Sequence, residues 1–492
     1  MLRNIRYFEL AEFLSSNLQS VNNLELAFED EYFNDEQEAN QLSNALSEYR
    51  NIRNLKLKLY SYNSTEKSAF NLGSSLNSCQ HLSNLELNLY INWQLVSNFI
   101  QGLAKCINLN KLKIVFDNIS DEGIIETAPH LTQIPSLQIL ELDLQEQNIG
   151  DSGVNHLGQC LSRCSKLKNI ILKLEQNNIS DEGVNSLSTS LANCQNLQTL
   201  KLILWGNNIT KQGVSKLFKT FNKNSSVSYL DLQIQDCLID ANNIKVFLSS
   251  LSQILSLSVL QLCLRLDYES SSALFSDLQS LKNLSTLKLW LYCQDCDTQR
   301  IGYSLSNLQN LSTFELKLSL NKIKEKNAPI FSPELENCKN LTSLLLDFTS
   351  NEVTDDILSQ ISQSLSYCKN LLHLNLVLEN NQISNISSIC NPLSNLKNLQ
   401  ILVLNFGCNN VSQQSVSELG LVLQQCISLI SLNFWLNDQT ISAFSQFLPY
   451  IPNLKDLKLA LDNRWVSQKQ EQQLSLIVLK LKKLVFKQII RF

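Results

Sequence analysis

Several strings in this 492-residue chain hold side chains that can do chemistry. Gly150-Asp151-Ser152-Gly153 sets a serine beside a carboxylate, and His156 follows three residues later. A nucleophilic serine needs a base within hydrogen-bond reach, itself oriented by a third group. The string, however, falls in register with Ser120-Asp121-Glu122-Gly123, Ser180-Asp181-Glu182-Gly183 and Thr210-Lys211-Gln212-Gly213, each at a helix start. A hydroxyl or carboxylate there serves as a helix cap. Cys293 and Cys296 have the spacing of a redox dithiol or half a zinc site, but zinc needs four ligands. No second pair follows, and the next histidine is His373. Cys160 and Cys164 lie one helical turn apart, and His81, His130, His156 and His373 are scattered. No Gly-rich loop ending in Lys-Ser/Thr and no His-Glu-x-x-His occurs. The expectation is a non-enzyme with no catalytic residue, no metal ligand and no cofactor.

The elements that carry these strings repeat. LKNIILKLEQNNI, from Leu167, returns as LQTLKLILWGNNI from Leu197, with the helical segment SDEGVNSLSTSLANC between. Alternating Leu-x-Leu-x-Leu runs are anchored at Leu24, Leu55, Leu85, Leu112, Leu140, Ile170, Leu200, Leu230, Leu260, Leu287, Phe314, Leu344, Leu374, Leu402, Leu432 and Leu457. The mean spacing is about 29 residues, a period that denotes a solenoid. Alternation predicts half-buried strands, with Leu200, Leu202 and Leu204 inward and Lys201, Ile203 and Trp205 outward. Val184, Leu187, Leu191 and Cys194 form the inward helical stripe at steps of three and four.

This pattern resembles the leucine-rich repeats of the ribonuclease-inhibitor-like type, L-x-x-L-x-L-x-x-N/C-x-L. Asn177, Asn207, Asn321, Asn351, Asn381 and Asn409 fill the Asn slot, and Cys237 fills it once. Most copies insert two residues, so a strand one alternation longer is expected. The resemblance implies an α/β solenoid, a horseshoe of about 16–17 repeats with a parallel sheet on the concave side and helices on the convex side. It implies a non-enzymatic protein-binding scaffold. The alternative it offers is a regulator of a small GTPase, since one such subfamily activates Ran. That subfamily carries an acidic C-terminal tail, whereas this chain ends LKLKKLVFKQIIRF.

The expected organisation is one solenoid over 1–492: an incomplete repeat at 1–23, regular repeats at 24–461, and a C-terminal helix with a last strand from Leu484 at 462–492. Residues 1–23 carry a helical stripe of Phe8, Leu10, Phe13, Leu14 and Leu18. The ends show no polar cap, so end-to-end association is expected. Residues 265–330 are the least regular, with the Asn slot lost at Asp267 and Gln294, and Lys322–Lys326, Pro329 and Pro333 interrupt a helix. Net charge is −5, with no basic stripe of the kind that marks nucleic-acid binding. No apolar run approaches the ~20 residues of a membrane helix, and MLRNIRYFELAEF lacks the apolar core of a secretory signal. Of fourteen cysteines, Cys79, Cys106, Cys164, Cys194, Cys338, Cys368 and Cys426 share one repeat slot. A small apolar side chain fits there, so free thiols in a reducing, cytoplasmic or cytoskeletal setting are expected.

The surface left for a partner is the outward column of the strands. Parity places Tyr60, Tyr90, Trp205, Trp290, Tyr292 and Trp435 there, with Lys56, Lys58, Glu141, Asp143, Lys173, Lys201 and Asp231. Large aromatics anchor interfaces. Mixed charge suits a protein better than a polyanion. Lys56, Lys58, Tyr60, Tyr90, Glu141, Asp143, Trp205, Trp290, Tyr292 and Trp435 are therefore the expected partner-binding residues.

Overall fold

A computed structural model describes residues 4–16, 21–28, 36–61, 65–221, 226–293, 295–297, 300–318, 321, 336–436, 438–461 and 486–491. The chain forms two compact units, residues 1–237 with 253–257, and residues 238–252 with 258–492. Each is built from leucine-rich repeats of α/β solenoid type.

In the first unit the strands are β1 (Asn4–Tyr7), β2 (Asn23–Ala27), β3 (Asn54–Ser61), β4 (Asn84–Ile91), β5 (Lys111–Phe116), β6 (Ile139–Asp143), β7 (Asn169–Lys173), β8 (Thr199–Ile203) and β9 (Tyr229–Ile239). Each pairs parallel with the next, anchor opposite anchor: Leu24 with Leu55, Leu55 with Leu85, Leu140 with Ile170, Ile170 with Leu200. Between them run α1 (Leu10–Ser15), α2 (Glu36–Glu48), α3 (Glu66–Ser75), α4 (Trp93–Gly102), α5 (Asp121–Leu131), α6 (Asp151–Arg163), α7 (Asp181–Leu191) and α8 (Lys211–Thr220). Parallel strands need such crossovers. Leu172 and Leu202 on the strands, and Val184 and Leu187 on α7, have no exposed surface. Burying each such side chain contributes roughly 1.5–3 kcal/mol.

The second unit holds α9 (Ala241–Ser252), then β10 (Val259–Leu266), β11 (Thr286–Cys293), β12 (Thr313–Lys317), β13 (Ser343–Asp347), β14 (His373–Val377), β15 (Ile401–Asn405), β16 (Ser431–Leu436), β17 (Asp456–Leu461) and β18 (Phe486–Arg491). Its further helices are α10 (Tyr268–Asp277), α11 (Ile301–Ser306), α12 (Asp355–Leu365), α13 (Cys390–Asn395), α14 (Gln413–Leu423) and α15 (Asp438–Ser445). The buried rings of Phe406, Phe434 and Phe444 meet edge to face.

Two forms of copy recur. In the copies of β6, β7 and β8, with Gln147, Asn177 and Asn207 at the slot, a five-residue strand ends in a turn, and the inserted pair adds a rung: Leu144, Leu174 and Leu204 N–H donate to the carbonyls of Lys173, Ile203 and Gln233. Asn177 closes the turn. Its Oδ1 accepts from Gln147 and Ile149 N–H at 3.0 and 2.9 Å, and its Nδ2 donates to Leu144 O at 2.7 Å. The 27-residue copies instead run eight-residue strands straight into a cap. Asp267 follows β10 directly and accepts from Ser270 N–H at 2.8 Å, which explains why its Asn slot is missing.

Three details go beyond the sequence reading. The N-terminal stretch begins with a strand: Ile5 of β1 lies opposite Leu24, ahead of α1, where Leu10 and Phe13 are buried. NIRY is too short to show periodicity. The last described strand, β18, sets Lys487 opposite Leu457. Trp205 stands in the turn just past β8 rather than in it. Leu18, Leu484, Lys322–Lys326, Pro329, Pro333 and the expected C-terminal helix lie outside the described residues.

Candidate partner-binding face

Helices cover one face of each sheet, so the opposite face carries the outward columns. In the first unit one column is a run of alternating charge. Arg6, Glu25, Lys56, Glu86, Lys113 and Glu141 occupy equivalent positions on β1 to β6. Arg6 approaches Glu25 at 3.5 Å, and Lys56 lies 3.9 Å from Glu25 and 3.2 Å from Glu86. Lys113 lies 3.9 Å from Glu86 and 3.3 Å from Glu141. Strand spacing of about 4.8 Å puts long side chains within such reach. Beside this column runs a ladder of amides: Asn54 Nδ2 donates to Asn23 Oδ1 at 2.6 Å, and Asn84 Nδ2 donates to Asn54 Oδ1. Between the two lies a trough of about 420 Å³, floored by Leu24, Leu55 and Leu85. That volume is in the range of ligand pockets.

The neighbouring column carries the second charged set. Lys173 Nζ donates to Asp143 Oδ2 at 2.7 Å. Burial works to lower the Lys173 ammonium, but this bond and the carboxylates of Asp143, Glu141 and Glu175 outweigh it and hold it above its ordinary value. The first column resumes beyond Glu141 and Ile171 at Lys201, which pairs at 2.9 Å with Asp231; Asp231 has no exposed surface and also accepts from Gln233 Nε2. Asp231 is thus on the expected face but buried, and Ile203, also outward by parity, is only 7% exposed.

The expected residues are not all equally available. Tyr60 and Tyr90 stack on each other at 4.4 Å. Lys58 is half-buried one position along from Lys56 on the same face. In the second unit, Trp290 donates from Nε1 to Glu315 Oε1 at 3.0 Å while Lys317 Nζ sits 4.4 Å from its ring. Lys317 and Lys288 also pair with Glu315 at 3.1 and 3.3 Å, and these cations and the Trp290 bond overcome burial to keep the Glu315 carboxyl below its usual value. Trp435 has Lys458 5.8 Å from its ring. Tyr292 is 47% exposed. Glu25, Glu86, Lys113, Glu175 and Gln235 were not singled out from sequence. Reading the position after each anchor as one column would have found the first three.

The reactive-looking strings are spent on structure. Asp151 accepts from Ser180 N–H, Ser180 Oγ and Gly183 N–H, at 2.7, 2.5 and 3.0 Å, in the next copy. His156 Nδ1 lies 2.9 Å from the Ser152 carbonyl oxygen. None of the fourteen cysteines is in a disulfide. Burial pushes the Cys106 and Cys368 thiols up to about 12, far from a nucleophilic thiolate. Cys293 and Cys296 are buried, and the Cys296 hydrogen bond, with burial, raises the Cys293 thiol well above its ordinary value. Among the described residues no group of three His, Cys, Asp or Glu could hold a metal ion, and no helix is long and apolar enough to cross a membrane.

No family model matches the chain, and no curated protein matches it. Solved structures do match, 119 chains in all. One, a "Crystal structure of TLR13-ssRNA13 complex", is similar over 98% of this chain and 83% of that chain, at 16% identity and a TM-score of 0.39.

Proposed function

We propose that this chain is a non-enzymatic protein-interaction scaffold of the ribonuclease-inhibitor-like repeat type, taking a protein partner on the strand face of its first unit. The trough between the Asn23–Asn54–Asn84 ladder and the Glu25–Lys56–Glu86–Lys113 column carries this reading. It offers backbone, amides and charges of both signs on one uncovered face. A polyanion approaching it would meet Glu25, Glu86 and Glu141 as closely as the lysines, so the affinity that phosphate neutralisation gives is absent. Aromatics on the same face, Tyr60, Tyr90 and Trp205, supply rigid contact area. Thiols outside any disulfide, most of them buried, support a reducing intracellular setting.

Lysine-directed cross-linking of the chain with the partner it captures from its source cells tests the reading. Partner cross-links are expected at Lys56, Lys58 and Lys113. Cross-links confined to the exposed helix lysines Lys67 and Lys216 would overturn it.

A further inference from the structure

The row that ends the strand face of β6 to β9 is short of hydrogen-bond donors. Leu174 N–H donates to Ile203 O, Gln176 N–H to Trp205 O and Leu204 N–H to Gln233 O, each at 2.9 Å. That register sets Glu175 beside Trp205 and Trp205 beside Gln235. Glu175 is 6% exposed, and its Oε2 is buried with no hydrogen-bond partner. Gln235 Oε1, on the other side of Trp205, is likewise buried and unpartnered. Leaving such oxygens dry and unpaired is costly, more so for a charged group. The neighbouring cations are committed: Lys113 to Glu141, Lys173 to Asp143 and Lys201 to Asp231. Glu175 is the carboxylate left over. Burial, with the Asp143 charge added, raises its carboxyl above the ordinary range against a hydrogen bond from its own backbone N–H and the pull of Lys173 and Lys201.

Two unpaired acceptors, one of them a carboxylate, flank an indole. A water could satisfy an oxygen but not the charge. An ammonium supplies a compact point charge with no flat face. A guanidinium is donor-only, planar and permanently charged, forks to two acceptors and stacks on tryptophan. Glu175, just past β7, and Gln235, on β9, stand two strand spacings apart, about 10 Å, and their long side chains close part of that width. We propose that this row seats an arginine of the protein partner, its guanidinium against the Trp205 ring and donating to Glu175 Oε2 and Gln235 Oε1. The oxygens are covered in the free protein, so seating moves the Trp205 ring, which stands in the turn before Gly206 rather than in the ladder. This seat rests on the reading that the strand face of the first unit takes a protein.

The test uses the full chain and the probe acetyl-Gly-Arg-Gly-amide, with citrulline and lysine peptides as controls. The Trp205 indole N–H is followed by NMR, its signal assigned from Trp205→Phe. The arginine peptide is expected to shift that signal saturably. The citrulline peptide and the Glu175→Gln variant should each bind at least tenfold more weakly, and the lysine peptide more weakly than arginine. No saturable shift, or equal shifts with citrulline or with Glu175→Gln, would overturn the seat and leave buried water as the missing donor. The two readings fail separately. Cross-links at Lys56 and Lys113 with a silent arginine titration remove the seat and keep the face. Cross-links confined to Lys67 and Lys216 remove the face, and with it any partner arginine at this row.

Discussion

Asn177 ties two copies together through a single amide. It is 5% exposed, its Oδ1 serves two backbone N–H groups of the preceding turn, and its Nδ2 serves Leu144, Leu174 and Glu175 carbonyls. Asn177→Ala strands those N–H groups at a buried position. Urea denaturation should show a loss on the order of 3 kcal/mol. A change under ~0.5 kcal/mol would mean the turn refills with solvent. Glu175, two residues before, acts in the opposite sense. Burial raises its carboxyl in the folded state, so the unfolded chain ionises at lower pH than the folded one. Its effect is therefore destabilising above the unfolded value of about 4.3 and vanishes below it. Glu175→Gln should raise Tm at pH 7, and the gain should shrink to nothing as pH falls toward 4. A gain that persists at pH 4 would place its origin outside ionisation.

The helix starts show how one element is capped by another. Ser180 and Thr210 accept from N–H groups of their own helices, Glu182 and Gln212, at 3.2 Å. The aspartates that follow a cap reach instead into the next copy: Asp181 to Thr210, Asp355 to Ser384 and Asn385. Burial alone would raise Asp355, but these hydrogen bonds outweigh it and hold its carboxyl below the usual range. Its contribution is present above the unfolded value and lost as pH falls through the folded one. Asp355→Ala should cost about 1 kcal/mol at pH 7, and the cost should shrink as pH falls below the unfolded value of about 3.9. Equal costs above and below that value would deny the carboxylate its part. Sequence showed where Asp181 and Asn177 fall in the repeat, because period and capping are local signals. It did not show that their partners lie some thirty positions away. The same limit hid the site. Parity put Ile203 and Asp231 outward, but side-chain neighbours on adjacent strands bury them. The orphaned oxygens of Glu175 and Gln235 exist only once the register is known.

At the scale of the molecule, these cross-copy bonds are the means by which a chain of short-range contacts holds together. Each copy in the first unit bonds to its neighbours, so stability is close to a sum of repeat and nearest-neighbour terms. Damage should then stay near its origin rather than spread evenly. Hydrogen exchange on Asn177→Ala tests this under native conditions. Amides of Gln147 and Ile149 lose their acceptor outright and should exchange fastest. Protection should also fall in β6, β7, α6 and α7, the elements that meet around the turn. The amides of β13 and β14, where Asn351 and Asn381 close turns of their own, should keep their protection. A uniform loss along the chain would show instead that the solenoid opens as one cooperative body, and the additive account would fail.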